Sequence, residues 1–514
     1  MRELGDPEAC QNPALQQTNS YGVHISAPQW QPLPGKVWEW RMSAPKELVE
    51  PGAPVSPVPP LYIQVQHLRR EAERLREGSS DSNVWEAMAI RFAGALDKEA
   101  LGQAWQVFLS RHDGLRSWFE VPEPAQGGPS DVLRHEVDLD AISWELAEGP
   151  EFATGDEARE YFVSQFNART SPLRWPALYF AAIEHETGFT AIFAEDHCYC
   201  DGYSNLVAIL EITALYEAAV SGRDAQLPPA GSVLQAAREE RERLAPLTLQ
   251  SPEIQKWAAY LAEFDEEAHR FPLDLGADPD RPSGGPWDFD LLTGAETEVL
   301  KQRCKESGGG LAAGLYAALA VTNYELAGRR KFDEFRTVSN RQKGHDASHG
   351  WFVGVVPIAF SVEGASSFTD LVSRAQQAID ASAPLASVPV ERFFELLADT
   401  GFDPAAAGAE TKTLPSMVSY FDMRTIAHPV SSKASTYSKV VHPSRTYTRS
   451  AQYVWFWRYH DVLNADVFSL ANPTAQAALR RYYTHVGDVL RSVVENGDYT
   501  LAGSLSAEAA PQTV

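Results

Sequence analysis

Cysteine is scarce in this chain: Cys10, Cys198, Cys200 and Cys304 are the only four among 514 residues, too few and too scattered for a disulfide framework. A stapled secreted scaffold is thereby excluded, and a reducing cytoplasm is expected. Positive charge is also short. Against 69 Asp and Glu stand 44 Lys and Arg, a formal net charge of -25, which opposes the counterion release that nucleic-acid binding requires. The opening Met1-Arg2-Glu3-Leu4-Gly5-Asp6 lacks the basic start and apolar core of a signal peptide. No later run reaches bilayer-spanning length, so membrane contact is expected to be peripheral at most. There is no Gly-x-Ser-x-Gly elbow, which removes the usual serine-hydrolase reading. Ser307-Gly308-Gly309-Gly310 is followed by no Lys-Ser or Lys-Thr, so it reads as a break between helices instead of a phosphate loop.

Apolar material is plentiful: 44% hydrophobic residues, with 13 Trp, 18 Tyr and 23 Phe, supply two domains of roughly 200 residues each. Residues 1 to about 60 are rich in Pro, Gln and Ser and read as a mostly extended arm, part of it packed through Trp30, Trp38 and Trp40. Leu101, Ala104, Trp105, Phe108 and Leu109 predict a helix from about Asp97, stopped at His112-Asp113-Gly114. Leu115–Phe119 then reads as a strand and Glu157–Phe166 as a helix. Charge dominates 235–248, a solvated helical face, and Ser251-Pro252-Glu253 starts a helix with Ile254, Trp257, Ala258 and Leu261 inward. Pro, Asp and Gly crowd 271–286, where a linker is expected. Beyond it, helices are expected near 295–306, 311–327, 368–383 and 474–495. Strands are expected near 335–339, 353–360, 416–421, 436–442, 452–460 and 465–470. Mixed order of this kind argues for α/β layers in both halves.

The most informative stretch is Phe189-Thr190-Ala191-Ile192-Phe193-Ala194 followed by Glu195-Asp196-His197-Cys198-Tyr199-Cys200-Asp201-Gly202. The first part reads as a buried strand. After the loop, Ser204 is expected to cap a helix carrying Leu206, Ile209, Leu210, Ala214 and Ala218 on one face. His197 is therefore clamped between a strand end and a helix start, which suits a general base, with Gly202 letting the backbone turn. His197, Cys198 and Cys200 lack the spacing of a zinc framework, so no metal is expected.

His197-Cys198-Tyr199-Cys200-Asp201-Gly202 matches HxxxDG, and the chain resembles the superfamily of condensation domains and polyketide-associated acyltransferases. Arg111-His112-Asp113-Gly114-Leu115-Arg116-Ser117-Trp118-Phe119 resembles that superfamily's RHxxLRxxF signature. Asn340-Arg341 and Gly350-Trp351-Phe352-Val353-Gly354-Val355-Val356-Pro357 resemble its arginine strand and the GxxxNxxP-type segment after it. Residues 59–70 and 415–422 resemble the trehalose-lipid branch.

The resemblance implies an α/β fold of two chloramphenicol-acetyltransferase-like lobes, mixed sheets flanked by helices, forming a V around a central tunnel. The organisation expected is an arm over 1–57, a first lobe with the HxxxDG loop over 58–270, a linker over 271–288, a second lobe over 289–503 and a disordered tail over 504–514. It also implies acyl transfer from a thioester to a hydroxyl of a metabolite, sugar or lipid, without a covalent acyl-enzyme. His197 would be the general base, Gly202 and Ser419 would supply oxyanion donors, and Asp201 would pair structurally with Arg341. No bound cofactor is expected; the donor is acyl-CoA or a phosphopantetheinyl acyl carrier protein, and the acidic charge of the chain favours coenzyme A. Peptide-forming condensation domains carry two consecutive histidines where this chain has Asp196-His197, and no DFGWG segment is found. Both departures lean toward esters. The alternatives are an amide-forming nonribosomal-peptide condensation enzyme and a non-catalytic scaffold that binds carrier proteins. Asp196 either raises the basicity of His197 or faces solvent.

Overall fold

Apolar residues with few polar gaps fill Trp85–Ala93, Leu178–His185 and Gly188–Asp196, the composition of strands covered on both faces. In the computed structural model these three are adjacent in one sheet. The residues described are 23–27, 30–78, 84–123, 131–263, 269–277, 284–398, 400, 416–425, 434–441 and 452–502. They divide into two units, neither of them continuous in sequence. One takes Met1–Arg238, Gln342–Trp351 and His428–His442; the other takes Glu239–Arg341, Phe352–Ala427 and Pro443–Val514.

The first unit is built on a seven-stranded sheet of order β1-β13-β3-β8-β7-β2-β6, numbered along the chain. Its strands are β1 (Val23–Ser26), β2 (Lys36–Ser43), β3 (Trp85–Ala93), β6 (Ser143–Glu151), β7 (Leu178–His185), β8 (Gly188–Asp196) and β13 (Ala434–Val441). A separate ribbon pairs β4 (Ser117–Glu120) with β5 (Leu133–Glu136). All neighbours in the large sheet are antiparallel except β1 and β13. Side chains alternate between two cores, as the period of two along a strand requires. Phe189, Ala191 and Phe193 of β8 join Leu101, Trp105 and Phe108 from the helix Lys98–Arg111. Ile192 and Ala194 face the other way, toward Phe162 and Phe166 of the helix Gly155–Arg169. The turn from β7 into β8 depends on Gly188, whose φ is +153° and where a Cβ would stand 2.0 Å from the Phe92 carbonyl oxygen.

The expected arm contributes structure: β2 lies between β7 and β6, with Trp40 in one core and Trp30 in the other. Its first 22 residues lie outside those described. The helix expected from Asp97 is there, with the Asp97 carboxylate capping the Ala100 N–H.

The second unit carries a six-stranded sheet of order β11-β10-β12-β14-β15-β9. Its strands are β9 (Gly284–Thr293), β10 (Lys331–Ser339), β11 (Val353–Ser361), β12 (Met417–Asp422), β14 (Tyr453–Arg458) and β15 (Val462–Leu470). β12 runs parallel to both β10 and β14, and the other pairs are antiparallel. The helices Leu311–Ala327, Phe368–Ser382 and Pro473–Asn496 pack into one core with it. β9 begins inside the stretch 271–288 read as linker. Gly284, Gly285 and Pro286 suggested a loop, but β9 is the outermost strand of its sheet, where a residue without an N–H breaks no ladder on the open side.

Candidate active site

β8 delivers three polar residues in succession at its C-terminal end. Glu195 and Asp196 are fully buried, and His197 opens a single 3-10 turn, His197–Tyr199. Burial of two adjacent carboxylates demands partners for each. Asp196 accepts the Cys198 N–H at 2.9 Å, so it caps the turn, and its Oδ1 lies 2.6 Å from His67 Nε2 on the helix Tyr62–Arg76. Burial pulls the His67 pKa down, but the Asp196 carboxylate more than offsets this and holds it above the ordinary histidine value.

The His197 N–H donates to the Val84 carbonyl at 2.8 Å, and its carbonyl accepts the Cys200 N–H. Its ring lies 4.6 Å from the Trp351 ring at 47°. Nδ1 is enclosed and has no hydrogen-bond partner among the described residues. Yet the side chain is 31% exposed, and its second ring nitrogen is Nε2. That nitrogen stands 3.9 Å from Glu86 Oε1.

Behind the loop lies a network that the motif gave no sign of. Glu86 and Glu195 are register partners across β3 and β8, two buried carboxylates side by side. Glu86 Oε2 accepts from Asn205 Nδ2 at 2.5 Å and from the Cys200 thiol at 3.4 Å. Glu195 meets His349 Nε2 at 2.8 and 2.9 Å. Burial pushes the Glu195 pKa up, and His349 partly restrains it. The other ring nitrogen of His349 sits 3.2 Å from the Ser204 carbonyl, and the His349 backbone N–H donates to His112 Nδ1. His112 continues to Glu211, which Arg111 holds at 2.5 Å. The Arg111-His112 signature is thus a structural support.

Asp201 is the N-cap of the helix Gly202–Val220, accepting the Ser204 N–H at 2.7 Å and its hydroxyl at 2.9 Å. Ser204 was expected to be the cap; its hydroxyl instead donates to Asp201 and to the Gly350 carbonyl. Gly202 is the first residue of that helix and is not among the glycines with positive φ, so the turn does not need it for a left-handed backbone. Cys198 and Cys200 are buried free thiols, and burial drives the Cys198 pKa well above its usual value. Among the described residues no group of three or more His, Cys, Asp or Glu is arranged to hold a metal.

In the second unit, Ser419 lies buried on β12 and accepts the Thr337 hydroxyl at 2.6 Å. Arg341 follows β10, and its guanidinium sits 4.6 Å from the centre of the Phe352 ring.

The condensation-domain family model matches residues 64–404. The 2'-acyl-2-O-sulfo-trehalose (hydroxy)phthioceranyltransferase PapA1 of Mycobacterium tuberculosis (strain ATCC 25177 / H37Ra) is 26% identical over 501 residues, 94% of this chain and 91% of that protein. The trehalose-2-sulfate acyltransferase PapA2 of the same strain is 29% identical over 351 residues, 68% and 72% of the two chains. A solved structure of a PapA2 acyl transferase superposes with a TM-score of 0.77 at 25% identity, covering 92% of this chain and 100% of the other.

Proposed function

The chain belongs to the condensation-domain family and is an acyltransferase, and we propose that it moves an acyl group from a thioester to a hydroxyl of a sugar-containing acceptor, with His197 as general base. The observation that carries this reading is the His197 imidazole, anchored through its backbone at the end of β8, with one ring edge open and buried carboxylates around its base. A neutral imidazole held within reach of the acceptor can take its hydroxyl proton as the C–O bond forms.

The acceptor oxygen attacks the thioester carbonyl as its proton passes to the imidazole. The tetrahedral adduct then expels the thiolate, which takes that proton back. No acyl-enzyme and no bound cofactor is needed. Acyl-CoA is the favoured donor, with a phosphopantetheinyl acyl carrier as the other candidate. The relatives named for sulfated trehalose acceptors support a disaccharide or similar polyol. Asp196 in place of a second histidine supports oxygen over nitrogen as the accepting atom. The Gly202 N–H and the Ser419 hydroxyl are assigned as donors to the oxyanion. The free thiols Cys198, Cys200 and Cys304 fit a reducing cytoplasm.

Purified enzyme incubated with acyl-CoA and acyl-carrier donors against trehalose, sulfated trehalose and matched amines, with products read by mass, tests the reading. An O-acyl sugar is expected, and clear preference for the amine overturns ester formation. His197→Ala should lower kcat by about 10²–10⁴ with the fold intact. A variant with near-parental kcat would remove His197 from the chemistry. Asp201 and Arg341 are proposed as an ion pair. Single alanine variants should each cost roughly 3–5 kcal/mol, and the double variant much less than their sum. Strict additivity would end that assignment.

A further inference from the structure

We propose that Glu86 is the counter-charge of His197, a positioning residue whose buried carboxylate holds the imidazole and stabilises the imidazolium formed during transfer. The proposal rests on His197 being the base, as argued above.

Three observations converge on it. Glu86 Oε1 stands 3.9 Å from His197 Nε2, close enough for charge pairing and too far for a hydrogen bond, so the nitrogen keeps its lone pair for the acceptor proton. The carboxylate is fixed by its other oxygen, which takes the Asn205 amide and the Cys200 thiol. Its neighbour across the sheet, Glu195, already has a partner in His349, at 2.8 Å. Two carboxylates in register would repel each other in a dry interior. His349 meets one of them, and an imidazolium formed on His197 would meet the other.

Among the described residues, the acids that flank His197 in sequence have other engagements. Asp196 of β8 meets His67 from the helix Tyr62–Arg76, and Asp201 caps the helix Gly202–Val220. Trp351 covers the ring without charge. In the transfer step the acceptor O–H bond breaks as the C–O bond forms, the proton resides on Nε2 beside Glu86, and it leaves with the thiolate when the C–S bond breaks. Glu86 gains no proton and forms no bond. It acts only while the imidazolium exists, which is the condition for lowering a barrier in preference to tightening ground-state binding.

Glu86→Gln keeps the shape and both anchoring contacts while removing the charge. Its kcat should fall about tenfold or more with KM little changed, and the acid limb of kcat/KM should move to lower pH. Glu86→Asp retains charge and should leave the limb near its parental position. A folded Glu86→Gln with parental kcat and limb, or an Asp variant whose limb moves as far as that of Gln, overturns the proposal. If Glu86→Gln does not fold, Asn205→Ala, which releases the carboxylate from its anchor, should shift the limb the same way; an unmoved limb overturns the proposal. His197→Ala is measured alongside. Activity surviving in it defeats the base assignment, whereas an inactive His197→Ala with a parental Glu86→Gln defeats the Glu86 assignment alone.

Discussion

Asp196 could have faced solvent or served its neighbour; the structure instead gives it to His67 and to the turn it caps. Because the folded pKa of His67 is raised, this pair contributes fully below the unfolded value of about 6.5 and fades as pH climbs through the folded one. Asp196→Asn should therefore cost about 1–3 kcal/mol in denaturant unfolding at pH 6 and distinctly less at pH 9. Equal losses at both would mean that His67 is not ionised there. His197 and Asp201 were legible because one short motif contains both. His67, Glu86 and His349 were not, since each meets its partner from far along the chain: 129 positions for His67 and Asp196, 119 for Glu86 and Asn205, 154 for His349 and Glu195. No local pattern encodes such meetings. The only sign was two acids placed together after an apolar strand, where each would need a partner once buried.

Strand, turn and helix around His197 follow from local signals, and only the cap was displaced, by three residues. Asp201 and Ser204 are both capping types, and composition alone cannot decide which one takes the N–H. β9 was hidden by its glycines and proline, which an edge position tolerates. Its pairing with β15 also creates a pH-sensitive contact. Asp288 stands opposite Asp466, and burial together with that carboxylate pushes the Asp288 pKa up to about 7. A raised carboxyl pKa favours the fold while the proton is on, so this contribution is complete below about pH 4 and is lost as pH rises through about 7. Asp288→Asn should make the protein more stable than the parent at pH 8, by on the order of 2–4 kcal/mol, and leave little difference at pH 4.5. Chemical denaturation at the two pH values checks this; identical changes at both would mean that Asp288 titrates normally.

Across the whole molecule, the α/β character of both halves could be read from the order of helices and strands, but the division into units could not. The unit bearing His197 takes Gln342–Trp351 and His428–His442 from late in the chain, and a linear reading assigns those to the second half. His349 and Trp351 travel in the first of these segments. The second contains β13, which fits between the edge strand β1 and β3. This insertion bears on how the protein is made. About 340 residues separate the end of β3 from the start of β13. At about 5–20 residues per second, a ribosome needs roughly 20–70 s to cover that interval. Throughout it, one edge of β3 presents unpaired N–H and C=O groups, the template on which strands of other nascent chains pair. The sheet that carries His197 is thus completed only once β13 has been made, and its yield in a cell depends on what shields that edge in the meantime.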